Sequence, residues 1–463
     1  MRSALAFVAM LATGCTHLVW YGRSDDRRHV VSVIEQGGRQ HVRVDMVDGP
    51  EVLGVGVDAL VFGEQGEVAY PAQVEGGWVV RSTPAGGLRS SRAESGDALF
   101  DAIGEVQLHH GQLLYTAERA GKWHLVRGSD PGEAFDTILP ASLTVSRTGR
   151  VAFAAQDGRS FFAVIDGQRS APMDGIGQLR FSSDGLRAGF IARRAGSSFV
   201  VIEGVEQGPF EVIAELQLGP PDVFIARTGK SWQVHVDGRP GEGFERIAGL
   251  QTVGGVAYAA RRGKQEWIID GTRQLGPFTS LKSQLARDAS GRLVFVAQRD
   301  DAWLVSLGGE ENGPWSELET PSLGGAHVGF IGERAGQRVV VLDGKELATW
   351  DWAGSLVLSA DGKRHAYLAR RGPHNLLVVD GVERTFDVVV GGSLAFSKDG
   401  RRFACVTGEK STRRLFITRD DGRRTAVDME ELVAALSRVP PEVQLTSPDV
   451  TLLRRWVEAE LEH

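Results

Sequence analysis

Leu179-Arg180-Phe181-Ser182-Ser183-Asp184-Gly185-Leu186-Arg187-Ala188-Gly189-Phe190-Ile191-Ala192-Arg193-Arg194 holds the pattern that decides the fold. An apolar strand ends in Ser-x-Asp-Gly, and a second strand, rich in aromatic and branched residues, follows at once. Aspartate can bond to the backbone just ahead of it and glycine supplies a positive φ, so these four residues read as a tight corner. The same order returns at Leu356-Val357-Leu358-Ser359-Ala360-Asp361-Gly362-Lys363-Arg364-His365-Ala366-Tyr367-Leu368-Ala369 and at Leu394-Ala395-Phe396-Ser397-Lys398-Asp399-Gly400-Arg401-Arg402-Phe403-Ala404-Cys405-Val406.

Two further signatures travel with the corner. A valine-rich strand closes on Asp-Gly, as at Asp166-Gly167, Asp237-Gly238, Asp270-Gly271, Asp343-Gly344 and Asp380-Gly381. That dipeptide between alternating strands is a strong hairpin signal. An aromatic residue, often after Gly-Pro, then leads into a short apolar run: Phe135, Phe210, Phe244, Phe278, Trp315 and Phe386. From Gly128 to Gly422 the turn glycines recur about every 37 residues. Weaker copies begin at Tyr21 and Leu60, so about eleven copies of ~36 residues fill 17–427, with an insertion near 82–97.

Each copy reads as four short strands, here A to D in chain order. Four-stranded units at this period, stacked face to face, make a β-propeller of compact blades. About eleven copies exceed the usual ~4–8 blades, which leaves one wide ring or two successive rings as alternatives. The expected fold is therefore all-β, with a short α-helical tail over 428–463. Asp428-Met429-Glu430-Glu431 resembles a capping box, and Ser447-Pro448 opens a second helix with Val450, Leu453, Trp456, Val457 and Leu461 on one side.

The repeat Phe-Ser-x-Asp-Gly-x-x-x-Ala-Phe/Tyr resembles that of TolB-like and other WD-like bacterial propeller proteins across nearly the whole chain after residue 16. The resemblance implies a propeller and envelope-protein partners, but propellers carry many functions.

The chain start points the same way. Met1–Gly14 has one basic residue, Arg2, then the apolar stretch Ala4–Leu11, then small residues, which is the layout of a secretory signal. Leu11-Ala12-Thr13-Gly14-Cys15 resembles a bacterial lipobox, with the leucine one place further from the cysteine than usual. That resemblance implies a signal peptide over 1–14, a lipid anchor at 15–16 carried by Cys15, and residence at the cell envelope. Thr16 after the cysteine favours the outer membrane, facing the periplasm or the cell surface. The other cysteine, Cys405, lies in an apolar strand and has no partner left for a disulfide once Cys15 is lipidated.

Of 463 residues, 52 are basic and 59 acidic, a formal charge of −7, which argues against a nucleic-acid partner. No apolar run approaches the ~20 residues of a membrane-spanning helix. The sequence offers no Gly-x-Ser-x-Gly elbow, no calcium loop and no glycine-rich phosphate loop. Its histidines are scattered, and adjacent His109-His110 would point to opposite sides of a strand, so no cofactor, metal or catalytic residue is assigned.

One recurrence suggests a surface. The hairpin between strands B and C is repeatedly basic: Arg119, Arg193, Arg194, Arg227, Arg261, Arg262, Arg299, Arg334, Arg370 and Arg371. Equivalent turns of propeller blades emerge on one face, so these guanidinium groups would ring one end and favour an acidic or phosphorylated partner. Glu118, Asp157, Asp300, Asp301 and Glu333 dilute that charge. The leading functional expectation is an envelope-anchored lipoprotein whose propeller is a non-catalytic binding scaffold for a protein or other macromolecule. The alternative is a propeller enzyme of hydrolase or lyase type with its site in the central channel.

Overall fold

The computed structural model describes residues 16–24, 29–64, 66–83, 99–282, 285–409, 414–419 and 423–426. Residues 1–14, expected to be a signal peptide, Cys15, residues 428–463, expected to be a helical tail, and most of the insertion lie outside the described residues. What is described is built of eleven antiparallel sheets; ten are meanders in which A pairs with B, B with C and C with D, and the second, over 54–83, holds only A, B and C. There is no α-helix among the described residues, only one short 3-10 turn at Val57–Ala59.

The chain divides into two compact units, Met1–Gly243 and Phe244–His463. The first holds six sheets, over 16–48, 54–83, 102–135, 137–169, 175–210 and 212–240. The second holds five, over 246–278, 280–315, 317–350, 352–386 and 388–426.

The Ser-x-Asp-Gly corner forms as its chemistry requires. In the tenth sheet the Ser359 hydroxyl donates to Asp361 at 2.6 Å and accepts from the Arg364 amide at 3.0 Å, and Lys363 N donates to Asp361 at 3.1 Å. Gly362 takes φ +73°. The eleventh sheet repeats every bond through Ser397, Asp399, Arg401 and Arg402. The corner serine is fully buried at Ser359, and its oxygen replaces the backbone partners that the turn leaves open.

The Asp-Gly turn has a second role. Asp166 and Gly167 both lie at positive φ, +50° and +82°, as a two-residue hairpin of matching twist demands. The aspartate then reaches across to strand B and accepts an amide at its start: Val151 N at 2.9 Å on Asp166, Val328 N at 2.9 Å on Asp343, His365 N at 2.9 Å on Asp380. The residue is fixed by a distant bond as well as by its turn.

Strand A departs from the expected single run. In the second, fourth, eighth, ninth and eleventh sheets it is two short pieces on one strand B, and in the first, third, fifth, sixth, seventh and tenth the A–B pairing carries a bulge. The bulge frees polar side chains to stitch the neighbouring sheet. Gln178 donates to Ala214 O and accepts from Leu216 N, both at 3.0 Å, and Gln107 donates to Leu143 O at 2.8 Å. Bulges that re-aim a side chain in this way recur at sheet edges.

The core is distributed. Each apolar cluster lies between two successive sheets: Val31, Val42, Tyr70 and Val79 between the first and second, for example, or Ile331, Trp350, Tyr367 and Val378 between the ninth and tenth. Strand B is buried on both faces, as Leu293–Ala297 shows, so it reads as a continuous apolar run. Stability in such a stack is close to a sum of neighbour interfaces. Cys405 belongs to the last of these interfaces, fully buried, and burial pushes its thiol up to about 12.

Candidate functional site

The basic residues of the B–C hairpins sit at the end of strand B, and the turn proper is the following pair, such as Ala195-Gly196 at φ +51° and +79°. Placement in the strand gives each arginine a defined side and defined neighbours, which a solvated turn would not.

Seven of the ten cover an aromatic ring. Arg119 lies 4.6 Å from the centroid of Phe100, Arg194 4.9 Å from Phe199 and Arg227 5.4 Å from Trp232. In the second unit Arg262 covers Phe244 at 5.0 Å, Arg299 covers Phe278 at 5.2 Å, Arg334 covers Trp315 at 5.1 Å and Arg371 covers Trp350 at 4.5 Å. Phe278, Trp315 and Trp350 end strand D of the preceding sheet, so each of those contacts bridges two sheets. Phe278 and Trp315, each after Gly-Pro, and Trp350 thus have a fixed lid, a contact whose strength comes from the ring quadrupole.

Four of these arginines are also neutralised by a glutamate twelve residues on, at the start of strand D. Arg194 is paired with Glu206 at 2.9 and 2.7 Å, Arg299 with Glu311 at 2.5 and 2.8 Å, Arg334 with Glu346 at 2.7 Å and Arg371 with Glu383 at 3.0 and 3.1 Å. The hydrogen bond that Arg299 donates to Glu311 raises the guanidinium pKa further, against the lowering by burial. Arg227 reaches Glu211 at 3.6 Å. Sequence reasoning missed these glutamates, although the constant separation was there to be read.

Arg193, Arg261 and Arg370 differ. They are the penultimate residues of strand B where two arginines are adjacent, so strand alternation sends them to the opposite side from Arg194, Arg262 and Arg371. All three are exposed and make no ion pair with a described carboxylate. Arg261 donates Nε to Gly263 O at 3.0 Å and, with Arg246, its cross-strand partner, and Lys282, lines a cleft of about 520 Å³. Arg370 stands opposite Trp352 and Asn375.

His109 and His110 do not point apart. His110 is the first residue of a two-residue turn at φ +46°, which breaks the strand alternation and brings the two rings to 4.1 Å. Two half-buried carboxyls, Glu105 and Glu319, lie on or beside strand A; burial raises the pKa of each, partly offset by backbone amides such as Ser142 N and Ser355 N. Glu105 and Asp58 line one cleft of about 590 Å³.

The fold is all-β and of the β-propeller class, on the evidence of its repeated four-stranded meanders. No known protein-family model matches the chain, and no curated protein matches it. Among solved structures it is similar to Hsv2 of Kluyveromyces lactis, 16% identical with TM-score 0.24 over 42% of this chain and 70% of that one. It is also similar to the β-propeller domain of the Trilobed protease from Pyrococcus furiosus, 12% identical with TM-score 0.25 over 62% and 97%. A third is the acylaminoacyl peptidase of Pyrococcus horikoshii, 12% identical with TM-score 0.24 over 58% of each chain.

Proposed function

We propose that the protein is a lipid-anchored envelope scaffold, held at Cys15, whose propeller sheets bind an acidic macromolecular partner rather than turn over a substrate. One observation carries the reading. Most of the hairpin arginines are consumed by rings and carboxylates, whereas Arg193, Arg261 and Arg370 hold equivalent strand positions, are exposed and make no ion pair with a described carboxylate, Glu266 standing across the strand from Arg261 without a salt bridge to it. Charge left unpaired at a repeated position is available to a carboxylate or phosphate on another surface.

The test uses the full chain in detergent, with capture of envelope proteins at low salt. Exchanging Arg193, Arg261 and Arg370 together for Glu should abolish capture. The Arg299→Gln variant, whose native partner is internal, should leave it intact. Equal capture by all three proteins would end the scaffold reading. Anchoring is tested separately: fatty-acid labelling should mark the wild type and be lost in Cys15→Ala.

The enzyme reading draws on Glu105, whose carboxyl is raised by burial beside an open cleft that it shares with Asp58. It would gain if Glu105→Gln removed a hydrolytic or eliminating activity that the folded wild type shows.

A further inference from the structure

The corner between strands A and B of the third sheet breaks the pattern of the repeat. Where the fifth, tenth and eleventh sheets place serine and aspartate bonded to one another, Ala102–His109 and Gln112–Arg119 are joined by His110-Gly111 alone, both at positive φ, +46° and +75°. Asparagine, aspartate or glycine is the ordinary choice for the first place of such a turn. Here an imidazole occupies it, directly after another imidazole.

The left-handed backbone turns His110 back over His109, with ring centroids 4.1 Å apart. The preceding sheet presents Glu64, just beyond its own strand A piece Val61–Phe62, and its carboxylate lies 3.0 Å from His110 Nδ1. One donor atom from each of Glu64, His109 and His110 falls within 4.8 Å of the other two. His109 Nε2 is buried and has no hydrogen-bond partner.

We propose that Glu64, His109 and His110 form a binding site for a divalent transition cation of the zinc class. Two imidazole nitrogens and one carboxylate oxygen make a donor set that suits zinc and its neighbours and suits calcium or magnesium poorly. Neighbouring donors around tetrahedral zinc stand roughly 3.3 Å apart, given bonds of ~2.0–2.1 Å. Glu64 and His110 have side chains 59% and 62% exposed, so both can rotate through the remaining gap. Three protein donors leave coordination open to water or to a donor from another molecule. The site joins two adjacent repeats at their corners, and occupation ties those sheets together.

The experiment takes the full chain in detergent, without a histidine tag and stripped with chelator, and titrates zinc against a chromophoric competitor. One zinc per chain is expected. His110→Ala and Glu64→Gln should each weaken binding at least tenfold, while His374→Ala, an exposed histidine of the tenth sheet, should leave it unchanged. Cobalt should give a visible d–d band that is lost in His109→Ala, and the metal-free unfolding midpoint of His110→Ala should match the wild type. Absence of bound zinc, equal affinity in His110→Ala, or equal loss in His374→Ala would each overturn the assignment.

Discussion

Arg169 and Asp157, 3.1 Å apart in the fourth sheet, make the ion pair that Arg299 and Glu311 make in the eighth, with the acid and the base exchanged. The separation is twelve residues in both. Strand B ends in the acid and strand D supplies the base, yet the guanidinium still finds its ring, 4.5 Å over Phe135, and a second carboxylate, Glu133, at 3.0 Å. What the fold keeps is a charge pair beneath an aromatic lid, whichever strand carries which sign.

Exchange should therefore be tolerated where loss is not. Arg299→Ala removes one half-exposed ion pair and one ring contact, and should cost about 1 kcal/mol. Arg299→Glu alone should cost more, through repulsion from Glu311. The double variant Arg299→Glu/Glu311→Arg should recover most of the loss, read as urea midpoints in a double-mutant cycle.

The buried corner serine is a second point of dependence. Ser359→Ala leaves the Arg364 amide without its oxygen acceptor and takes a donor from Asp361, and should destabilise by about 1–2 kcal/mol. Thermal unfolding of Ser359→Ala and Ser359→Thr, the latter keeping the hydroxyl, separates the hydrogen bonds from the packing.

Glycine at the same corner is required twice over. A Cβ on Gly362 would strike the carbonyl oxygen of Gly324 in the preceding sheet, and φ is already +73°. Gly362→Ala should cost at least about 2 kcal/mol. Gly372, at φ +55° with open space around it, should lose only about 1 kcal/mol as alanine. Equal losses would show that the contact between sheets carries no weight.

Stability should also fall in acid by a traceable route. Burial pulls the Asp288 carboxyl upward, but bonds from Ser290 and Arg292 outweigh it and hold the pKa below its ordinary value of 3.8. A depressed folded pKa gives stability that is present above the unfolded value and is lost as pH falls through the folded one. Asp288→Asn should thus be less stable than the wild type at pH 7, and the difference should shrink below about pH 4.

Much of this was legible from the chain. The Ser-x-Asp-Gly and Asp-Gly corners are local chemistry, so residues such as Ser182, Asp184 and Gly185 announce their conformation without reference to the rest. The number of copies expected and the eleven sheets agree because the corners and hairpin turns recur at one period even where a single corner departs from the pattern. The arginines were a different case. Arg299 reads as a charge open to a partner because its own partners, Phe278 and Glu311, stand 21 and 12 residues away, and only a register between strands brings them together. His110 was misplaced for a similar reason: a two-residue turn rotates its side chain, and alternation holds only inside a strand.

The lids over Phe278, Trp315 and Trp350 come from the sheet that follows each ring, and that has a bearing on how such a chain can grow. Excise one whole period, 316–350, and Trp315 meets Arg371 in place of Arg334, an arginine already paired with its own glutamate. Insert one, and the newcomer arrives with both the ring and the cover that its neighbours need. These three seams are chemically interchangeable, so tandem copying can lengthen this stretch of the array without leaving a bare surface inside it.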